Sequence, residues 1–260
     1  MKEYPPFSTL SSGIHAVRDA VKPYLTESHA FSVTAAFVGR SYLSFRLEKV
    51  DGGYMTEING VEIKMADSLH FSEFLTEKPL QGYIRDRDIE EGDVVIDAGA
   101  FPGEFTIYAA KKGAKVIALE PDHENAEELR KNIELNGLDN VEIIEKGLWS
   151  GKGQKNVKRD DEFGLGSELS ENGDIEAEVT SLDSICDSAD FIKMDIEGAE
   201  IEALQGAEKL IENSRPYLAV ATYHVRNGEK TCHRVEELLS DRGYEAETGY
   251  RKHLTTYGRP

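Results

Sequence analysis

From about residue 90 onward the apolar positions follow two alternating rhythms. Residues 94–96, 116–119, 141–144, 191–194 and 217–221 are short, nearly unbroken apolar runs. Runs of that length predict strands covered on both faces, as in a parallel sheet. Between them the apolar residues recur three and four apart. Phe105, Tyr108 and Ala109 form one such set, Ala126, Leu129 and Ile133 a second, Ile201, Leu204 and Ala207 a third, and Val235, Leu238 and Leu239 a fourth. Each predicts a helix with one buried stripe. Asp122 is placed to cap the second helix and Gly137 to stop it. A short helix is expected at residues 182–185, and residues 244–248 and 253–257 read as a closing antiparallel pair. The five runs and this pair make a seven-stranded, mostly parallel sheet with helices on both faces, an α/β fold.

Two stretches depart from this rhythm. Residues 1–80 form a small α+β extension, a cap or lead-in to the domain at 81–260. Ile14, Val17, Val21 and Leu25 predict a helix there, and Asn59-Gly60 predicts the two-residue turn of a β-hairpin between Tyr54 and Met65. Residues 151–176 are rich in Gly, Lys, Asp and Glu, and predict a long exposed loop or hairpin.

Charge narrows the choice of partners. Lysine and arginine number 30 against 49 acids, a net charge of −19. Such a surface repels phosphate backbones and anionic lipid, so neither nucleic acid nor membrane insertion is expected. No apolar run approaches the roughly 18 residues of a membrane span, and residues 1–10 lack a signal-peptide core. Cys186 and Cys232 stand apart, outside any metal-type or C-x-x-C spacing, and read as free thiols of a cytoplasmic protein.

The chemistry gathers at strand ends. The first run ends in Asp97-Ala98-Gly99-Ala100-Phe101-Pro102-Gly103-Glu104. Its glycines allow close backbone approach, and the helix start beyond them suits a carboxylate. A dinucleotide fingerprint begun at Gly99 fails, because Phe101 and Glu104 stand where its second and third glycines belong. The turn therefore favours a nucleoside with a carboxylate tail over one with phosphates. Glu120 ends the second run, where an acid can accept both hydroxyls of a ribose. Lys193-Met194-Asp195-Ile196-Glu197-Gly198-Ala199-Glu200 brings three acids and a lysine to the same sheet edge.

Taken in order, the stretch V-V-I-D-A-G-A-F-P-G-E-F-T, then A-L-E-P, L-R-K-N-I-E-L-N, T-S-L-D-S and F-I-K-M-D-I-E-G-A-E-I-E-A-L-Q-G-A resembles the FkbM family of methyltransferases over residues 94–224, about half the chain. The resemblance implies a Rossmann-like class I methyltransferase that uses S-adenosylmethionine (SAM), with methyl transfer to a hydroxyl of a small molecule, sugar or lipid-linked metabolite. It implies that Asp97, Gly99 and Gly103 hold the methionine part, with Ala100 and Glu104 in the same turn. Glu120 would hold the ribose, Pro121 and Gly147-Leu148-Trp149 would flank the adenine, and Asp195 and Glu197 would face the reacting groups.

One departure concerns the fifth strand. Many members end it with a glutamate, whereas here it ends Thr222-Tyr223-His224. His224, Asp195 and Glu197 are the candidate bases, and Asp195 could instead orient the ammonium of SAM. These three side chains could supply oxygen and nitrogen to a metal, but D-x-E spacing is no metal signature, so none is assigned. Competing readings are a nucleotide-cofactor oxidoreductase, a non-catalytic SAM-binding protein and an RNA methyltransferase.

Overall fold

The computed structural model describes residues 31–38, 41–50, 53–58, 61–66, 79–159, 167–169, 175–226, 228–249 and 254–260. The chain divides into two compact units, Met1–Lys78 and Pro79–Pro260. In the first, β1 (Phe31–Val38), β2 (Ser41–Val50), β3 (Gly53–Ile58) and β4 (Val61–Met65) form an antiparallel sheet in chain order. Ile58 faces Val61 across the last pair. The Asn59-Gly60 turn and the expected helix carrying Ile14 to Leu25 lie outside the described residues.

The second unit opens with α1 (Pro79–Tyr83), β5 (Val94–Ala98), α2 (Glu104–Lys111), β6 (Lys115–Leu119), α3 (His123–Leu135) and β7 (Val141–Ile144). The strands β8 (Gly147–Leu148), β9 (Gly153–Arg159), β10 (Ser167–Leu169) and β11 (Ile175–Thr180) follow, then a 3-10 turn, Leu182–Ser184. It closes with β12 (Phe191–Met194), α4 (Glu200–Gln205), α5 (Glu208–Ser214), β13 (Tyr217–Ala221), β14 (Val225–Arg226), β15 (Glu229–Lys230), α6 (Cys232–Ser240), β16 (Glu245–Gly249) and β17 (Thr255–Arg259). The main sheet has seven strands in the order β16-β17-β13-β12-β5-β6-β7. All neighbours run parallel except at β17, which is antiparallel to both β13 and β16.

Alternation along the strands sorts side chains between two layers. Ile96, Ala98, Ile192, Met194, Leu218 and Val220 point into one layer. There they pack with Ala203 and Leu204 of α4, Leu210 and Ile211 of α5, and Val235 and Leu239 of α6. On the other face Phe191 stacks between Phe105 of α2 and Tyr217, with centroid distances of 5.7 and 5.1 Å. Tyr83 of α1 meets Phe105 edge-on. Asp122 caps α3 as expected, accepting from the backbone N–H of Glu124 and Asn125 at 2.9 and 3.2 Å.

Residues 151–176, expected as a long exposed loop or hairpin, take the second form: β9 and β10 pair antiparallel, and with β11 and β8 they build a second sheet in the order β10-β9-β11-β8. In β11 the exposed Glu176 and Glu178 alternate with buried Ala177 and Val179, the signature of a half-buried strand. The helix expected through Ala207 breaks instead at Gly206. A Cβ there would lie 2.3 Å from the Trp149 carbonyl oxygen, so the chain passes too close for a side chain. The Asp183 carboxylate restarts the helix by accepting from the N–H groups of Lys209 and Leu210 at 3.2 and 2.9 Å.

Phe191 is fully buried at the centre of the aromatic layer. Phe191→Ala is expected to lower unfolding free energy by about 3–5 kcal/mol, read from urea denaturation. A loss under about 1 kcal/mol would mean that this layer contributes little.

Candidate active site

Parallel register sets Lys193 of β12 directly beside Asp97 of β5 on the same face of the sheet. The Lys193 ammonium lies 2.9 Å from Asp97 Oδ1 and donates to the carbonyls of Gly99 and Ala98 at 2.6 and 3.4 Å. Thr106, one turn into α2, donates to Asp97 Oδ2 at 2.6 Å. Both side chains are buried. Burial alone would lower the Lys193 pKa, but the carboxylates of Asp97, Asp195 and Glu104 outweigh it and keep the ammonium charged. Asp97 thus has both oxygens committed to shaping the turn.

Glycine is needed in that turn for a reason other than ligand space. Gly99 has φ of +72°, and a Cβ on it would fall 1.8 Å from the carbonyl oxygen of Asp195. Gly103, with φ of +111°, presses instead on Leu129, 2.6 Å from where its Cβ would lie. The close backbone approach expected at Gly99 is present as a contact between the two strand ends. Gly99 and Ala100 also donate their N–H groups to the Leu119 carbonyl at 3.0 Å, which ties the turn to the end of β6.

Two buried acids face this turn. Glu104 opens α2, and its Oε2 is buried without a hydrogen-bond partner. Burial pushes its carboxyl up to about 7, although Lys193 pulls the other way. Glu120 follows β6 and is 4% exposed. Burial raises its carboxyl to about 7, although it accepts from the Asp122 N–H at 3.1 Å, the Asn125 amide at 3.5 Å and the Phe101 backbone N–H. Pro121 continues the chain from it, partly exposed.

The second half of the site lies beyond β12 and β13. Asp195 accepts from the phenols of Tyr83 at 2.8 Å and Tyr223 at 3.1 Å. His224 lies between acids, with Nε2 3.1 Å from Glu197 Oε2 and 4.0 Å from Asp195 Oδ1, and Nδ1 3.1 Å from Glu200 Oε1. Burial would lower its pKa, but Glu197 and Glu200 carry it up to about 10. The acids around it thus favour the charged form of His224, one of the three candidate bases. Glu200 is wholly buried and also accepts from the N–H groups of Ile196 and Gly198, at 3.3 and 3.1 Å. Glu197, at φ of +52°, is in the left-handed region unusual for a residue with a side chain.

Glu197, Gly198, Ala199, His224, Val225, Arg226 and Trp149 line a cavity of about 300 Å³. Val225 is 64% exposed, the large apolar side chain that stands out at the surface among the described residues. Gly147 and Leu148 are buried in β8, and Trp149 follows them into the cavity wall. Trp149 is therefore grouped with the Glu197–His224 cluster. No described helix is long and apolar enough to cross a membrane.

The model of the methyltransferase FkbM domain matches residues 97–246, more than half of the chain. The chain belongs to this family. The crystal structure of an FkbM methyltransferase from Methylobacillus flagellatus superposes with a TM-score of 0.52 at 22% identity, covering 75% of this chain and 56% of that one. At that identity the likeness concerns the fold. An uncharacterised protein of Methanocaldococcus jannaschii is 43% identical over 60 residues, 23% of each chain. An uncharacterised RNA methyltransferase of Oceanobacillus iheyensis is 39% identical over 56 residues, 22% of this chain and 12% of its own. The matches thus span less than a quarter of the curated relatives.

The FkbM domain is a class I methyltransferase domain, and its cofactor is SAM. The residues present suit that molecule. Glu120 is a buried acid beside a tight turn, and a carboxylate there can accept from a ribose diol. Glu104 offers an unpartnered buried oxygen at the same turn, suited to an ammonium. Sequence reasoning missed Thr106, Tyr83 and Tyr223 as supports of the site, and it placed Glu200 at the sheet edge without its contact to His224.

The Gly99 contact gives a direct test. Gly99→Ala is expected to cost more than about 2 kcal/mol in unfolding free energy, through the clash with Asp195 and positive φ together. Gly137→Ala shares a positive φ but meets nothing within 4 Å, and is expected to cost only about 1 kcal/mol. Equal losses in paired urea titrations would remove the clash as the cause.

Proposed function

We propose that this chain transfers the methyl group of SAM to a hydroxyl on a small molecule, sugar or lipid-linked metabolite. The observation that carries this reading is the cavity whose wall holds Glu197 and His224, one strand away from the SAM-type turn. Glu104 receives the cofactor's ammonium and Glu120 its ribose. Ala100, Gly99 and Gly103 shape the turn around the methionine part, and Asp97 holds that turn from below. Pro121, Gly147 and Leu148 border the adenine, and Trp149 divides it from the acceptor.

When bound, SAM supplies an electrophilic methyl on a sulfonium. Held by Glu104 and Glu120, SAM would supply that methyl to the acceptor oxygen and leave as the thioether, and Glu197, the most exposed of the cluster's acids, would take the acceptor's hydroxyl proton. Asp195, fixed by Tyr83 and Tyr223, orients the acceptor, and the His224 charge steadies Glu197. Alignment of this kind supplies on the order of 7–11 kcal/mol, and a placed base a further factor of about 10²–10⁴.

Methyl-labelled SAM, offered with a panel of hydroxylated metabolites, sugars and lipid-linked sugars and with total RNA, tests the reading. Label is expected in an ether product. Label in RNA alone would replace it with the activity named for the Oceanobacillus relative, against the repulsion expected from the −19 charge. With an acceptor in hand, Glu197→Gln should lower kcat/KM by about 10²–10⁴-fold and leave SAM affinity within threefold. Near-normal turnover would exclude Glu197 as the base.

Glu120 provides a cofactor test with a defined sign. Its carboxyl, raised to about 7 from an ordinary value of 4.5, favours the protonated form in the unliganded fold. That contribution to stability is full below the unfolded pKa and is lost as pH rises through about 7. A ribose diol needs the carboxylate as acceptor, so SAM binding near pH 6.5 should release protons. Calorimetry in buffers of different ionisation enthalpy reads that release. Glu120→Gln should abolish it and weaken SAM by roughly ten- to a hundredfold, the worth of one or two charge-assisted bonds. Unchanged affinity would place the ribose elsewhere.

A further inference from the structure

We propose that Asp195, Glu197 and His224 bind a divalent metal cation at the edge of the acceptor cavity. The three offer two carboxylates and one imidazole, with ligand atoms all within 4.8 Å of one another. Donors around one such ion at about 2.1 Å sit roughly 3 Å apart. His224 Nε2 and Glu197 Oε2 are already 3.1 Å apart, and Asp195 Oδ1 is 4.0 Å from the same nitrogen.

The surroundings match what metal ligands need. A ligating histidine holds its far nitrogen against a carboxylate or carbonyl, and ligating carboxylates are themselves hydrogen-bonded. His224 Nδ1 lies 3.1 Å from Glu200 Oε1, which aims Nε2 at the site. Asp195 is held by two phenols. Glu200 itself has no exposed surface, and its Oε2 has no hydrogen-bond partner. Three carboxylates therefore crowd one imidazole, and the neighbouring cationic side chains are engaged elsewhere. Lys193 is engaged by Asp97 and two carbonyls. Arg226 grips Glu202 through both terminal nitrogens, at 2.7 and 2.9 Å. Such a pocket of negative charge calls for a cation.

A second group, His123, Glu127 and Glu145, also brings its ligand atoms within 4.8 Å. It differs where it matters. Arg130 already pairs with both of its acids, and His123 is fully exposed. It serves as an internal control.

One imidazole with two carboxylates leaves open positions and suits ions such as Mn²⁺. Those positions would border the cavity of Trp149 and Val225, where a cation lowers the pKa of an acceptor hydroxyl. Cation binding displaces the Nε2 proton of His224 to solvent, so the cation takes over the positive charge that His224 supplies in its absence; the bonds made and broken are those given above, and the acceptor's proton still passes to the Glu197 carboxylate. This role rests on methyl transfer to a hydroxyl, whereas the binding site does not.

The test uses the full chain stripped with chelator and titrated with Mn²⁺ by calorimetry and electron paramagnetic resonance. One Mn²⁺ per chain is expected. Asp195→Asn and Glu197→Gln should each weaken it at least tenfold, and Glu200→Gln roughly tenfold through His224. His123→Ala should leave it unchanged. Glu197 is partly exposed, so its variant keeps the test valid if Asp195→Asn fails to fold, which SAM affinity reveals. No stoichiometric Mn²⁺, or binding lost in His123→Ala and kept in Glu197→Gln, overturns the site. Methyl transfer undiminished in excess chelator would overturn the cation's role and leave the proposed reaction standing. Bound Mn²⁺ with no acceptor labelled would support the site and remove the reaction.

Discussion

The buried pair of Lys193 and Asp97 is the contact on which the site depends. Each charge is withdrawn from water, a loss that Coulomb attraction alone seldom recovers. Here it is offset because every strong valence is used. The ammonium meets a carboxylate and two carbonyls, and the carboxylate meets the ammonium and Thr106. The two residues are register partners on adjacent parallel strands, so the pair forms only if β5 and β12 align as they do. The carbonyls that Lys193 grips belong to Ala98 and Gly99, so the same charge bends the turn that follows β5. Sheet order, turn shape and site geometry are thus set by one interaction. A hydrophobic pair of similar size could serve the sheet alone.

Much of this was legible from residue pattern. The strand ends, Asp97, Glu120 and the Lys193–Glu200 block mark the sheet edge because short apolar runs stop there and polar residues begin. The supports of Asp195 were not legible. Tyr83 lies 112 positions from Asp195 along the chain, and only the fold brings the two together. Gly99 stands out in the sequence as a turn glycine, but no sequence spacing reveals that the Asp195 carbonyl lies against it. In β11 the period-two signal was present, but surrounding charges and glycines masked it. The members described as buried there, Ala177 and Val179, are small beside the leucines and phenylalanines that mark the main strands.

The end of β13 shows how a departure from the family pattern can be read. Where many members carry a glutamate, this chain has Tyr223 and His224. Tyr223 donates to Asp195, while His224 faces Glu197 and Glu200. An acid at that position would add charge to a cluster that already holds three carboxylates. The tyrosine and histidine supply donors instead, so the substitution moves the strand end from acceptor to donor chemistry.

Trp149 carries a different consequence. Its N–H is fixed to the Thr180 carbonyl at 2.8 Å, and its own carbonyl lies against Gly206 at the junction of α4 and α5. The main chain at this wall of the cavity is therefore pinned by contacts that involve no part of the indole. The side chain is the exchangeable element on a fixed mount. A substitution at Trp149 can therefore reshape this wall of the cavity while the main chain that carries it, and the sheet behind it, stay in place.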